Sequence, residues 1–437
     1  MTKMQKYQEV ITKINFWLLV LLAFSIPFHR LFSTYVFLLW GLSSLFILQY
    51  KQRFSRKKDR TFLWFFLFFF VLHIIGSFYS ENSHAASIDI TLKLPFIIMP
   101  LFMFLSGEYV RENNRKVLLS FVAGNFVASL VCLVAATVRS ISVVNGSWTF
   151  NSELMDHNYS FWQKLANGGN NFMYEPLSIF QHPGYFSIFI VSSVIFLLDM
   201  LLRKEIGKTT FRKVLYIVLI VFFSIMVYLL FARTGLIALL FVFLAYLIYY
   251  VLSTKRSFLK LSFILAIAVG GVMVLGFNGR MRNSLDELKA FFSESHQQED
   301  TENRLVIWYN ALDIVKSNLF FGVGTGDNKD QLLKMYKERG LKKAEAANRN
   351  IHNQFLETTI QLGLIGLFSL LSLLLLAFIK GIRARNPLLI CFVVINVLFF
   401  MFESCLNRQA GVFYFALVLS LLLFIRPAEK KPVISAP

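Results

Sequence analysis

The chain has 437 residues, of which 56% are hydrophobic and 16% are charged, and its formal net charge is +19 at pH 7. Soluble globular domains carry about 25% charged residues, so the composition excludes that class and indicates a membrane protein made of helices, because barrel strands would alternate polar and apolar residues. The positive charge does not predict nucleic-acid binding, since short cytoplasmic loops of membrane proteins collect Lys and Arg.

Apolar segments follow one another along the whole chain, and most approach or exceed the roughly 18 residues that a helix needs to cross a bilayer. They predict an all-α polytopic integral membrane protein with about twelve transmembrane helices in a single transmembrane domain over residues 1–437. The segments are 13–28, 31–50, 61–79, 88–106, 117–138, 184–202, 214–231, 235–252, 261–277, 353–379, 387–402 and 411–425. The first one lacks a small-residue cleavage site, so we interpret it as a retained helix.

Four short connections each carry three or more Lys or Arg residues. They are residues 51–60, 203–213, 255–260 and 380–385. With twelve spans, all four lie on one side of the membrane, and the positive-inside rule makes that side the cytoplasm. Both termini are then cytoplasmic as well.

The opposite side, the periplasm, receives the longer connections. They are the 139–183 loop, the tight turn at Arg233 and the 278–352 loop, which is long enough to form helices of its own. Long loops do not follow the positive-inside rule, so the basic residues of the 278–352 loop do not contradict this orientation. The residues suited to chemistry are concentrated on this side, where we expect them to act on a membrane-bound substrate.

Metal and disulfide chemistry is not expected. The chain has three cysteines, and neither a Cys-x-x-Cys nor a His-Glu-x-x-His spacing is present. Zinc sites and disulfide frameworks depend on such patterns. We therefore expect no bound metal and no cofactor.

Arg233 is the first candidate site residue. It stands in a tight turn between two apolar segments, where a charge is costly unless it has a partner or a ligand. Alternatively, its side chain only reaches out to the membrane surface. Thr234 and Gly235 begin the next helix, whose first N–H groups could help to hold an anion.

Arg304 and Trp308 are four residues apart, so they share one face if this segment is helical. The alternative is an ordinary amphipathic helix with a solvated Arg. Further along, the glycine-rich residues 322–326 could present backbone N–H groups to a phosphate. No strand precedes them, however, and a nucleotide-binding turn of this kind normally follows a strand.

His352 stands where the 278–352 loop meets the next span, and Asn353 follows it. A histidine can act as a general base near neutral pH, although an interfacial histidine can also be structural. Two further groups lie at the same side of the membrane: His182 closes the 139–183 loop, and Glu403 and Arg408 stand at the last turn. These residues either line a cavity or mark the membrane edge.

The order of these motifs is informative. An Arg-x-Gly turn (Arg233) comes first, an Arg-x-x-x-Trp motif (Arg304) follows in a long loop, and the loop ends in His-Asn-x-x-Leu (His352) before a Gly-x-x-Gly helix (Gly363). This arrangement resembles the O-antigen ligase and O-antigen polymerase superfamily of bacterial envelope glycosyltransferases. The residues that carry the resemblance lie within about 214–380, and the plan of spans extends it to the whole chain.

The resemblance implies a glycan donor linked to undecaprenyl pyrophosphate, used at the periplasmic face of the bacterial inner membrane without a metal and with inversion. In a ligase the acceptor is lipid A-core of lipopolysaccharide, and in a polymerase it is another lipid-linked glycan. By analogy, Arg233 and Arg304 bind the pyrophosphate and His352 is the general base. Residues expected to contact substrate are Trp308, Asn353, His182, Glu403 and Arg408.

Several functions stay open. We prefer O-antigen ligation over polymerisation, and a protein-glycosylating relative belongs to the same class. A transporter of lipid-linked glycans or of another solute is the alternative from a different class. It predicts charges in the middle of spans and repeated halves with broken helices, whereas no repeat is visible and few charges are mid-span. A structural scaffold gives no reason for Arg233 or His352.

Overall fold

The structure, a computed structural model, describes residues 3–47, 60–106, 108–154, 169–202, 210–252 and 304–424. The predicted span 261–277 and the first part of the long loop, 278–303, lie outside these residues. The described helices, in chain order, are α1 (Lys3–Ser25), α2 (Arg30–Leu45), α3 (Arg60–Phe78), α4 (Ser83–Lys93), α5 (Pro95–Leu105), α6 (Glu108–Glu112), α7 (Asn114–Ser140), α8 (Tyr174–Leu177), α9 (Pro183–Leu202), α10 (Thr210–Leu229), α11 (Arg233–Leu252), α12 (Arg304–Ser317), α13 (Asn328–Glu338), α14 (Lys342–Ala346), α15 (Gln354–Arg383), α16 (Pro387–Phe402) and α17 (Gln409–Phe424).

The helical membrane class is confirmed. Among the described residues, eight helical segments are long and apolar enough to cross a membrane, with α4 and α5 forming one of them, and α16 and α17 are shorter apolar helices. Each predicted span that lies within the described residues coincides with a helix. The total of twelve spans stays a prediction.

Helix boundaries follow local chemistry that the hydropathy pattern does not contain. The predicted span 88–106 in fact begins at Ser83, because the Asn82 side chain caps α4 by accepting a hydrogen bond from the Ala85 N–H at 3.0 Å. The segment is interrupted at Leu94, the residue before Pro95. Leu94 itself keeps helical φ and ψ, −49° and −37°. Proline has no N–H to donate to the Thr91 carbonyl, which accepts from the Leu94 N–H instead, so the helical hydrogen bonds are interrupted and α4 and α5 are separate helices.

Helix α9 occupies the centre of the bundle. In the most apolar 18 residues of α9, 83% are buried inside the protein, whereas the corresponding share for α10 is 28%. It packs against α7, α10, α11 and α16. Phe189 and Phe196 of α9 are both fully buried, and their rings contact Tyr414 and Phe121 respectively. This packing fixes the beginning of α9, directly after His182, at one end of the bundle.

A short β-hairpin follows α7 in the otherwise helical described structure. Strands β1 (Ile141–Val144) and β2 (Ser147–Phe150) pair antiparallel, with Val144 opposite Ser147. The two residues between them, Asn145 and Gly146, both have positive φ, 51° and 74°. An Asn-Gly pair is the residue pair that such a two-residue hairpin turn favours, so this element was readable from the sequence.

Helices α12, α13 and α14 form a small cap over the first turns of α15. The cap has its own apolar core, which includes Ile307, Leu332, Tyr336 and Ile351. The expectation that the long loop would contain helices is therefore confirmed for residues 304–350. The cap matters for function because it holds Arg304 and Trp308 next to the beginning of α15.

Helix α15 is broken at Gly363, which has φ 64° and ψ −162°. The glycine-rich segment passes through this break: the N–H groups of Val323 and Gly324 donate to the carbonyls of Ile360 and Gln361 at 2.8 and 3.0 Å. A Cβ atom on Gly363 would lie 2.2 Å from the Phe320 carbonyl. Only a glycine fits such a close approach.

The glycine-rich segment 322–326 is therefore not a phosphate cradle, which agrees with the absence of a preceding strand. Its other three N–H groups are also occupied, by the Asn318 carbonyl, the Gly76 carbonyl and the Ser80 hydroxyl. An N–H group that already donates to the protein cannot donate to a phosphate. The segment instead restores hydrogen bonds that the break in α15 would leave unmade.

Candidate active site

His352 and Glu403 meet at the end of the bundle where α9, α15 and α17 begin and α16 ends, here called the site end. His352 precedes α15 by two residues, and Glu403 follows α16 directly. The His352 Nδ1 atom lies 3.0 Å from Glu403 Oε2. Because α15 and α16 pack along each other, these two helix ends bring together residues that are 51 positions apart.

Arg304 contacts the Glu403 carboxylate as well, so Glu403 has both His352 and Arg304 as partners. Its Nη2 atom lies 3.4 Å from Glu403 Oε1, and its Nη1 donates to the Phe402 carbonyl at 2.8 Å. The Arg304 side chain is still 42% exposed. Since a guanidinium has five N–H donors, Arg304 retains donors for a ligand.

Glu403 is almost completely buried, at 7% exposure. Burial alone would raise the pKa of Glu403, but the hydrogen bond with His352, the charge of protonated His352, the Arg304 guanidinium and the charge of protonated His182 outweigh it, so the pKa lies below its ordinary value. Glu403 is therefore ionised at neutral pH. A carboxylate only accepts hydrogen bonds, so His352 donates from Nδ1 and its Nε2 is left to accept a proton.

The backbone of His352 is held in an unusual conformation. Its φ is 51°, a left-handed value that is uncommon outside glycine. The next residue, Asn353, caps α15 by accepting from the Leu356 N–H at 3.0 Å, and the Trp308 indole donates to the preceding Ile351 carbonyl at 2.7 Å. Conformations of this kind persist where the surroundings over-determine them, and they cluster at functional sites.

Arg304 and Trp308 lie one turn apart on α12, as their spacing predicts. Neither Trp308 nor Asn353 lines the cleft described below. Both were expected to contact substrate, and their observed contacts instead fix the backbone on either side of His352. Direct contact of these two residues with a substrate stays a prediction.

A cleft of about 160 Å³ opens beside His352 and Glu403. Its lining includes His182, Tyr185, Ser404 and Arg408. A water molecule takes about 30 Å³ of liquid volume, so the cleft has room for a few waters or for the reacting atoms of a larger substrate. The rest of a large substrate would have to lie outside it.

His182 and Arg408 are the two further basic residues of the cleft. Burial lowers the pKa of His182, with Glu403 and Glu175 acting in the opposite direction. Its Nδ1 accepts from the Gly184 N–H at 3.3 Å. Arg408 is exposed, and its guanidinium forms no hydrogen bond or ion pair with any residue that the structure describes. Arg408 therefore offers a positive charge and free donors to an anionic ligand.

Arg233 is not among the residues that line the cleft. It is half-buried and is the first residue of α11. The beginning of α11 packs against the first turn of α9, since a Cβ on Gly235 would lie 2.4 Å from the Ser187 hydroxyl. Two of the three predicted catalytic residues therefore lie together, since Arg304 and His352 both contact Glu403. The third, Arg233, stands on a neighbouring helix at the site end.

Within the described ranges, no group of three or more His, Cys, Asp or Glu side chains is arranged to hold a metal ion. The three cysteines are all free and buried. Metal independence stays a prediction for the reaction.

Glu357 is a buried carboxylate on α15. In the sequence it stands out as a charge one turn into an apolar helix that needs a partner, and Arg233 is a plausible one. The three hydrogen-bond donors of Glu357 are the side chains of Asn328, Ser404 and Asn407. Two of these donors stand in the same turn as Glu403 and Arg408. The sequence thus signals the need for partners, but it does not say that they are these three.

The middle part of the chain matches a known protein family. Residues 217–371 match the family model described as O-antigen ligase. This segment runs from α10 to the broken part of α15 and contains Arg233, Arg304 and His352. It does not reach His182, Glu403 or Arg408, which the fold adds to the site.

An uncharacterized protein of Haemophilus influenzae is also similar to this chain. The two are 23% identical over 159 residues, which make up 34% of this chain and 40% of the relative. The chain thus matches less than half of the length of that relative. The sequence motifs and the helical membrane fold both agree with the family match. The resemblance to the O-antigen ligase superfamily is therefore confirmed over residues 217–371.

Proposed function

We propose that this protein transfers a glycan from undecaprenyl pyrophosphate to a sugar hydroxyl, with O-antigen ligation to lipid A-core as the preferred reaction. The observation that carries the proposal is the contact of His352 and Arg304 with one buried carboxylate, Glu403, in a chain with an O-antigen ligase segment. A base and a cation are the two groups that this transfer needs.

His352 is the general base in the proposed reaction. Glu403 accepts from Nδ1, so Nε2 takes the proton of the acceptor hydroxyl as its oxygen attacks the anomeric carbon. The bond from that carbon to the pyrophosphate oxygen breaks, and the leaving group keeps the electron pair. A single displacement of this kind inverts the anomeric centre.

The leaving pyrophosphate gains negative charge, which the enzyme has to neutralise. Metal ions do this in many phosphate-transfer enzymes, and arginines can replace them because the guanidinium fork matches phosphate oxygens. Arg408 is exposed in the cleft, Arg304 retains free donors, and Arg233 stands at the same end of the bundle. We assign these three residues to the pyrophosphate.

The site faces the periplasm in this proposal. Described basic residues such as Arg212, Lys213 and Arg383 lie at helix ends opposite to the site end. The positive-inside rule puts those ends in the cytoplasm. The protein would then act at the periplasmic face of the inner membrane, with both termini cytoplasmic, where lipid-linked glycans and lipid A-core are both within reach.

Polymerisation of a lipid-linked glycan uses the same chemistry with a different acceptor, so it is the alternative within the family. Transport is less well supported. The break in α15 is a feature that transporters also have, but residues 319–324 occupy it and pair with its backbone. A transport path along this break would require those hydrogen bonds to open.

Glycan profiles of a deletion strain test the function. The strain is complemented with the wild type or with His352→Ala, and lipopolysaccharide and carrier-linked glycan are compared. A ligase predicts that the deletion and His352→Ala leave long chains on the carrier and none on lipid A-core. A core that carries single repeats indicates the polymerase, and profiles that the deletion does not change refute both.

A further inference from the structure

The turn between α16 and α17, residues 403–408, carries two cleft residues, Glu403 and Arg408. Hydrogen bonds to Glu357, in the first part of α15, hold this turn in place, and these bonds are called the fastening of the turn. Ser404 Oγ donates to Glu357 Oε2 at 3.0 Å, and Asn407 Nδ2 donates to Glu357 Oε1 at 2.8 Å. One carboxylate therefore holds the turn at two points.

Glu357 is also fixed on its other side. Asn328, the first residue of α13 in the cap, donates from its side-chain amide to Glu357 Oε1. The Glu357 residue is 3% exposed and Ser404 is 6% exposed. Water does not reach Ser404 to replace a lost partner, so its hydroxyl would be left unsatisfied if the carboxylate were removed. Asn328 and Asn407 are half-buried.

The position of Glu357 on α15 links this contact to the base. His352 lies five residues before Glu357, and Asn353, the α15 cap, fixes the intervening backbone. The same helical segment thus presents the base and holds the turn that presents its carboxylate partner. His352 Nδ1 and Glu403 Oε2, 3.0 Å apart, thus lie on two segments that α15 holds. Gln354 of α15 also holds the turn, since its Oε1 accepts from the Leu406 N–H at 2.7 Å.

We propose that Glu357 is a positioning residue of the transfer site, which holds the 403–408 turn so that Glu403 orients His352 and Arg408 faces the leaving group. This inference rests on the proposed transfer reaction. Glu357 does not line the cleft and does not touch the reacting atoms. It acts through Ser404 and Asn407.

Glu357 acts in this proposal by accepting hydrogen bonds and not by its charge. Two substitutions of Glu357 should therefore have different effects. In Glu357→Gln the amide oxygen can replace Oε1 and accept from Asn328 and Asn407, while the amide nitrogen replaces Oε2. Ser404 can then accept, because a hydroxyl both donates and accepts. Glu357→Gln thus keeps the hydrogen bonds to the turn and loses only the charge, whereas Glu357→Ala loses the hydrogen bonds as well.

The first experiment measures transfer in membranes of the deletion strain, which supply the host's own carrier-linked glycan and acceptor. Displacement of catalytic groups by about 1 Å can cost about 100-fold in rate, and we expect Glu357→Ala to lower kcat per folded protein by about that factor with little change in KM. Glu357→Gln should recover most of the rate. Glu345→Ala, on the exposed face of the cap, is the matched control. Equal loss in Glu357→Gln and Glu357→Ala, or full activity in Glu357→Ala, would overturn the proposal.

The second experiment does not depend on the reaction. Cys405 lies in the fastened turn, is fully buried, and has a pKa that burial raises well above its ordinary value. We expect maleimide labelling of Cys405, located by mass spectrometry, to be at least about tenfold faster in Glu357→Ala, since thiol reactivity follows exposure and pKa. Glu357→Gln should stay protected. Protection of Cys405 in Glu357→Ala would refute the fastening.

His352→Ala is assayed beside these variants. If His352→Ala is inactive and Glu357→Ala is active with Cys405 protected, the positioning role fails while the transfer reaction stands. If Glu357→Ala exposes Cys405 but His352→Ala retains full activity, the fastening stands while the proposed reaction fails, and with it the functional role given to Glu357.

Discussion

Replacement of Glu403 by Gln tests the proposed base most sharply. The substitution keeps the size of the side chain but removes the charge that accepts from His352 Nδ1 at 3.0 Å. Where the amide nitrogen faces His352, it donates to Nδ1, and the proton of the imidazole moves to Nε2. The base then lacks the lone pair that should take the proton of the acceptor hydroxyl.

The expected loss can be estimated from the contacts. A hydrogen bond to a charged group contributes about 1.5–3 kcal/mol, which is a factor of about 10 to 100 in rate at about 1.4 kcal/mol per decade. The wrong tautomer in a histidine–carboxylate pair costs about 10,000-fold in a serine protease. For Glu403→Gln we therefore expect kcat to fall by about 100-fold to 10,000-fold.

The assay compares initial transfer rates per folded protein in host membranes. Glu338→Gln, an exposed residue at the end of α13, is the matched control and should stay within about twofold of the wild type. A correctly folded Glu403→Gln protein that is equally active would refute the pairing of base and carboxylate.

Four further predictions follow from the same contacts. Arg408→Ala should lower kcat/KM for the carrier-linked donor about tenfold, and Arg408→Lys should recover part of this, because the charge remains while the fork is lost; an unchanged kcat/KM in donor titrations would contradict the assignment. Gly363→Ala should destabilise the fold by about 2–5 kcal/mol in thermal unfolding, since φ is 64° and the new Cβ would lie 2.2 Å from the Phe320 carbonyl; an unchanged melting temperature would be inconsistent with the broken helix. The depressed pKa of Glu403 means that its stabilising effect is complete above its ordinary value of 4.5 and is lost as the pH falls below it; the melting temperature should therefore fall less on acidification in Glu403→Gln than in the wild type, and equal falls would contradict this. Transfer should persist in excess chelator, whereas loss of activity that a divalent cation restores would refute metal independence.

The helices were predictable because their signal is local. A bilayer requires long apolar segments, and these coincide with helices wherever the chain is described. Asp89 and Lys93 also follow a local rule, since they stand four residues apart on α4 and form an ion pair. The β1–β2 hairpin carried an Asn-Gly signal that an all-α interpretation overlooked.

The site was predictable only as separate residues. Arg304, His352 and Glu403 each attracted attention, but Arg304 and Glu403 are 99 positions apart and pair only because the cap sits on α15 and α15 packs on α16. Hydropathy contains no information about such contacts. For the same reason Trp308 and Asn353 were expected to bind substrate, whereas their observed contacts are with the backbone around His352.

The most direct test of the account is transfer by the purified protein in lipid nanodiscs, with undecaprenyl-pyrophosphate-linked glycan as donor and lipid A-core as acceptor. We predict that the wild type forms acceptor-linked glycan and free undecaprenyl pyrophosphate in equal amounts, and that His352→Ala forms neither. Transfer by His352→Ala at the wild-type rate, or passage of the donor across the bilayer without any product, would contradict the account.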